Sequence, residues 1–210
     1  MRTRFLFLVT GCVLSLPLAS CQFLGPTSFV FQPLEFPLGN SADIVRMAAF
    51  AIPNWSDTEP HNGTDLIVDE RLTSTRIISP TAGVVTSIST RENPYSDPVG
   101  QLIVAIEIRI NAEWTVYLVL EPSTVDPAMR TAQLAAIMVS EGQEVAVGTP
   151  MADLLIGTLG YPHLHYMVQR NGEAVCAYAH SSDAARAVLE TVAALPGSSL
   201  PDGNICYGEP

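Results

Sequence analysis

The stretch from Leu102 to Glu121 alternates twice. Leu102, Val104, Ile106, Ile108 and Ile110 fall on one face of an extended chain, and Ile103, Ala105, Glu107 and Arg109 on the other. Asn111-Ala112 turns the chain. After the turn, Trp114, Val116, Leu118 and Leu120 alternate with Thr115, Tyr117, Val119 and Glu121. Successive side chains of a strand point to opposite faces, so two such runs bury one face and leave the other to solvent or a cleft. The more polar row, with Tyr117, Val119 and Glu121, is the one expected at the cleft.

The same reading extends to both sides. From Arg76 to Leu155 the pattern is β throughout: Ile77-Ile78, the turn Ser79–Gly83, the run Val84–Thr90, and then Glu141–Val145, Gly148-Thr149-Pro150 and Met151–Ile156. Asn171-Gly172 joins the runs His163–Gln169 and Glu173–Tyr178, a type I′ hairpin signal. Ile44–Ile52 is apolar and fits a strand or a short helix equally. Ser182 is placed to cap a helix to about Ala194, with Ala185, Val188, Leu189 and Val192 on one face. The expected class is a mainly β fold, a compact antiparallel sheet with a short C-terminal helix.

The N-terminus reads as a targeting segment. Arg2 and Arg4 precede an apolar run, Phe5–Leu16, too short to span a bilayer. Leu18-Ala19-Ser20-Cys21 resembles the bacterial lipobox, in which the cysteine is lipidated and becomes the new N-terminus. Cys21 would then anchor the chain to a membrane of the cell envelope, the outer membrane facing the periplasm if the host is Gram-negative. Residues 1–20 are thus expected to be a signal peptide, 21–42 a Pro/Gly-rich tether, 43–180 the β domain and 181–210 a helix and tail. Loss of the first twenty residues removes Arg2 and Arg4 and no acid, taking the net charge from −11 to −13. The chain has no lysine. That balance argues against nucleic acid as a partner. In an oxidising compartment the remaining pair, Cys176 and Cys206, is expected to form a disulfide, which contributes about 3–4 kcal/mol in the chain-entropy model.

Two stretches carry the metal chemistry. In a strand His163 and His165 stand on one face, as paired ligands or as a ligand beside a general base. Far upstream lies His61-Asn62-Gly63-Thr64-Asp65. On a straight strand His61 and Asp65 would be ~13 Å apart, too far to share one Zn²⁺. Gly63 is the residue that would let the backbone fold back.

Together these residues resemble the lysostaphin-type zinc peptidases, metallopeptidase family 23. His61-Asn62-Gly63-Thr64-Asp65 is similar to that family's H-x-G-x-D signature, and Ser79-Pro80-Thr81-Ala82-Gly83-Val84-Val85 to the strand turn that follows it. Val139–Met151 resembles the hammerhead segment, and Pro162-His163-Leu164-His165-Tyr166 the P-H-L-H motif. The match is collinear over 44–178. The resemblance implies a duplicated hybrid motif fold with one Zn²⁺ held by His61, Asp65 and His165. It makes His163 the general base toward the attacking water. It also implies a peptidoglycan peptide as substrate, or a cell-wall hydrolase as partner where a member is an inactive regulator.

One position departs from the family. The further histidine of its Tyr-x-His-Leu stretch is Val119 here, in Tyr117-Leu118-Val119-Leu120. That imidazole would hydrogen-bond the developing oxyanion or the water, and removing one such donor costs ~10²–10³ in rate. Tyr117, Glu121 and His180 are the candidates to compensate. The segment Gly157–Tyr161 is also shorter than the family's glycine-rich loop. The resemblance therefore implies either a zinc metalloendopeptidase-like lipoprotein or a zinc-retaining pseudopeptidase that binds cell-wall peptide or a partner hydrolase.

Overall fold

The structure, a computed structural model, describes residues 29–52, 60–94 and 96–207. The expected signal peptide, Cys21 and the start of the tether lie outside these residues. In chain order the strands are β1 (Ile44–Ala48), β2 (Thr64–Val68), β3 (Ser74–Ile78), β4 (Gly83–Asn93), β5 (Gln101–Arg109), β6 (Trp114–Glu121), β7 (Glu144–Val145), β8 (Pro150–Leu155), β9 (His163–Arg170) and β10 (Glu173–Val175). The helices are α1 (Pro127–Ala135) and α2 (Asp183–Ala193).

The main sheet is antiparallel, in the order β1-β2-β9-β6-β5-β4-β7, with β10 paired to β9; β3 and β8 form a second, two-stranded sheet. The mainly β expectation is met. Alternation sorts each strand into a core row and a site row. Leu66, Leu164, Leu120 and Val104 lie side by side across β2, β9, β6 and β5, each fully buried. Burial of such a side chain contributes about 1.5–3 kcal/mol. One residue along, Asp65, His165, Val119 and Ala105 form a row on the opposite face, and Ile67, His163 and Glu121 form the next. The sheet order therefore seats β9 between β2 and β6, and this adjacency builds the site.

The Asn171-Gly172 turn joins β9 to β10 with φ of 53° and 82°, the left-handed pair that a type I′ turn requires. The chain from Ile44 resolves as a strand, β1. Ser182 caps α2 by accepting from the Ala185 N–H, and Ala185, Leu189 and Val192 are its buried face. Cys176 and Cys206 are disulfide-bonded, as expected.

One expectation differs from the structure. The unbroken β reading of 76–155 misses α1. Asp126 caps that helix by accepting from the Ala128 N–H, and Pro127 opens it at a position where no intrahelical donor is needed. The buried Gln133 of α1 then bonds the backbone of β8, donating to Asp153 O and accepting from Leu155 N. Over the described part of the expected tether, the chain packs against the sheet. Leu34 and Leu38 are buried, the Leu34 N–H donates to His180 O, and the Ile78 N–H donates to Pro37 O. Phe31 stacks on Trp114 at 4.1 Å between centroids. The prolines break regular structure in this stretch, but the leucines and phenylalanines between them still bury on the sheet.

Candidate metal centre

His61, Asp65 and His165 converge although 100 residues separate the last two. His61 Nε2 lies 3.1 Å from Asp65 Oδ1 and 3.2 Å from His165 Nδ1, and His165 Nδ1 lies 2.8 Å from Asp65 Oδ1. Register explains half of this: Asp65 and His165 are direct cross-strand partners on one face of the β2–β9 pair. His61 precedes β2 and reaches the same point from a loop. The Ala51 N–H donates to His61 O at 2.7 Å, with Ala51 at φ 57°. Gly63 serves close approach rather than an unusual φ. A Cβ there would sit 2.6 Å from His165 Cε1 and Nε2 and 3.0 Å from Tyr166 O.

The outer nitrogens of all three imidazoles are engaged. His61 Nδ1–H donates to Ala49 O at 2.8 Å, His165 Nε2–H to Asn62 Oδ1 at 3.1 Å, and His163 Nδ1–H to Tyr161 O at 2.8 Å. These partners assign the tautomers, so the inner nitrogens of His61 and His165 present lone pairs to the site. This is the outer-shell arrangement of metal-bound histidines. Three donors about 3 Å apart suit one ion at bonds of ~2.0–2.2 Å, and among the described residues these three form the group able to hold a metal ion. The donor set therefore fits zinc. Two imidazoles and a carboxylate are three donors, so an ion held by them would keep a further position for water or substrate.

His163 stands beside the triad. Its Nε2 is 3.9 Å from Asp65 Oδ1 and 3.6 Å from Glu121 Oε1. Burial disfavours its charge, but Asp65, Glu121 and the Tyr161 carbonyl raise it from 6.5 to about 9. Burial would likewise raise Asp65, yet the charge of His163 and the imidazoles of His165 and His61 bring it well below the usual carboxylate range. Glu121 is lowered by His163 against its own burial. Asn93 Nδ2 donates to Glu121 Oε2 at 3.1 Å.

Val119 is the direct cross-strand partner of His165 and is almost fully buried. Of the three candidates to compensate, only Glu121 reaches the site. Tyr117 shares its face but lies two residues away, between Met167 and Glu107 on the neighbouring strands. His180 packs against Trp114, 4.8 Å between ring centroids, at the far end of β6, roughly 20 Å from Glu121. Cys176 and Cys206 are bonded to each other. Sequence reasoning missed Asn62, which lies inside the His61–Asp65 motif and has an amide suited to hold a ring N–H. It also missed the carbonyls of Ala49 and Tyr161, which no side-chain pattern marks. The strain around the second is legible only in three dimensions: Gly160 and Tyr161 both have positive φ, 83° and 57°.

No family model matches the chain, and no curated protein matches it. Among solved structures it is similar to a zinc containing peptidase from Vibrio cholerae, at 22% identity and a TM-score of 0.47, over 72% of this chain and 40% of that one. It is also similar to a mutant of the catalytic domain of the prophage-encoded M23 protein EnpA from Enterococcus faecalis, at 16% identity and a TM-score of 0.45, over 68% of this chain and 95% of that one. The chain thus spans less than half the length of the Vibrio cholerae protein.

Proposed function

We propose that this chain is a lysostaphin-type zinc metalloendopeptidase-like lipoprotein of the cell envelope, anchored through Cys21 and acting on peptidoglycan peptides. The observation that carries the reading is the meeting of His61 Nε2, Asp65 Oδ1 and His165 Nδ1, with a third imidazole 3.9 Å from the carboxylate. Collinear motifs across 44–178 support it independently.

His61, Asp65 and His165 would hold the ion, which when bound polarises a peptide carbonyl and lowers the pKa of water. The chain's own residues supply the rest. His163 presents Nε2 to the site while Tyr161 O holds its other nitrogen, so it is placed to accept a proton from water and return it to the leaving amine. Glu121, anionic and 3.6 Å away, favours the protonated imidazole between those two steps. Its charge also disfavours an oxyanion nearby, and it has no proton to donate.

That last point, with Val119 opposite His165, favours a second reading. The site retains zinc and binds cell-wall peptide, or a partner hydrolase, without efficient cleavage. Zinc analysis and a muropeptide digest on one preparation, beside His165→Ala, separate the two. Zinc with cleavage supports the enzyme, and zinc without cleavage supports the binding protein. No zinc in the unsubstituted chain overturns both.

A further inference from the structure

We propose that the C-terminal tail and its disulfide position the ligand His61, so that the Cys176–Cys206 bond tunes metal affinity at a site it does not touch. This rests on the metal-centre reading above.

The chain of contacts is continuous. His61 is oriented by its Nδ1–H bond to Ala49 O. The register of β1 with β2 ends at Ala48, opposite Asp65, so Ala49 lies beyond the last residue that β2 pairs. The tail takes over there. The Ser199 N–H donates to Met47 O at 2.8 Å, the Ala49 N–H to Ser199 O at 3.0 Å, and the Phe50 N–H to Ile205 O at 3.2 Å. Ser198 Oγ accepts from the Met47 N–H at 3.1 Å. The next residue, Ala51, takes its left-handed turn and donates to His61 O. Both the orienting carbonyl and the backbone of His61 are thus braced through residues 49–51, and these are braced by 198–206.

The tail in turn has little secondary structure of its own beyond one short turn at Pro201–Gly203. Its far end is fixed by Cys206, bonded to the fully buried Cys176 just after β10. β10 pairs with β9, which carries His165. The disulfide therefore clamps the brace of one ligand to the hairpin that presents another. A segment of few regular hydrogen bonds opens locally at low free energy once an end is freed. Loss of an outer-shell partner of a metal-bound histidine weakens metal binding about 10–100-fold.

The test is Zn²⁺ affinity by competition with a chromophoric chelator, together with the visible absorption of the Co²⁺-loaded chain, which reports ligand geometry. Two variants attack the brace independently: the double substitution Cys176→Ala/Cys206→Ala, and Ser199→Pro, which removes one N–H and leaves the disulfide. Each is expected to keep the far-UV circular dichroism of the parent, to bind Zn²⁺ at least about tenfold more weakly, and to shift the Co²⁺ spectrum. If the cysteine variant does not fold, Ser199→Pro decides. Folded variants with parental affinity and spectrum overturn the inference alone. A parent chain that takes up neither metal overturns the site and the inference with it.

Discussion

Valine at position 119 offers neither proton nor lone pair to the row it shares with Asp65 and His165. An imidazole placed there would face the site from β6, because Val119 and His165 are cross-strand partners on one face. Val119→His is expected to raise muropeptide cleavage by ~10²-fold at unchanged zinc content, the reverse of deleting one such donor. Unchanged cleavage at full zinc occupancy would place the defect elsewhere. Gly63 is as exacting for a different reason. The Cβ of Gly63→Ala would collide with the His165 ring and the Tyr166 carbonyl, so the variant is expected to lose about 1–3 kcal/mol in chemical denaturation. It should also lose most of its zinc affinity. The metal-free site carries a pH signature with two signs. His163 is raised from 6.5 to about 9, so its contribution to stability is complete below about pH 6.5 and is lost as pH rises through about 9. Asp65 and Glu121 are lowered, so theirs is complete above the ordinary carboxylate range and is lost as pH falls below that range toward their lowered values. The thermal midpoint of chelator-treated chain should therefore fall between pH 6.5 and 10, and His163→Gln should flatten that fall.

At the level of elements, the helices differ in how openly the sequence declares them. Ser182 announces α2 because a cap precedes an amphipathic run, and it also donates its hydroxyl proton to Glu35 Oε2 at 2.9 Å. Ser182→Ala is expected to cost about 1 kcal/mol by denaturant titration. The first helix, α1, carries an equally good signal in Asp126-Pro127. It was hidden because its residues lie between strand-like runs and present little apolar surface to bury. Its one buried residue is polar: Gln133 bonds β8 with both ends of its amide. Gln133→Ala leaves the Leu155 N–H and the Asp153 carbonyl unpaired in the interior, an expected loss of about 2 kcal/mol. Alternation along β5, β6 and β9 was readable because a strand has one period, and each apolar row found a buried face.

On the scale of the whole molecule, the sheet order assembles the centre. β9 is inserted between β2 and β6, so residues near 65, 119 and 165 meet in one row. By itself the sequence determined the strands and their faces, the hairpin at Asn171-Gly172 and the capped helix at 182. These are local: they follow from side-chain period, from φ preferences and from residue chemistry at short spacing. Only the tertiary structure decided the rest. It placed Glu121 rather than Tyr117 or His180 beside His163, and it made Gly63 a matter of clearance. It folded residues 29–42 onto the sheet and put the tail against the loop that holds His61. Each of these depends on which distant segments pack together, a sum of many weak contacts that no short window of sequence contains.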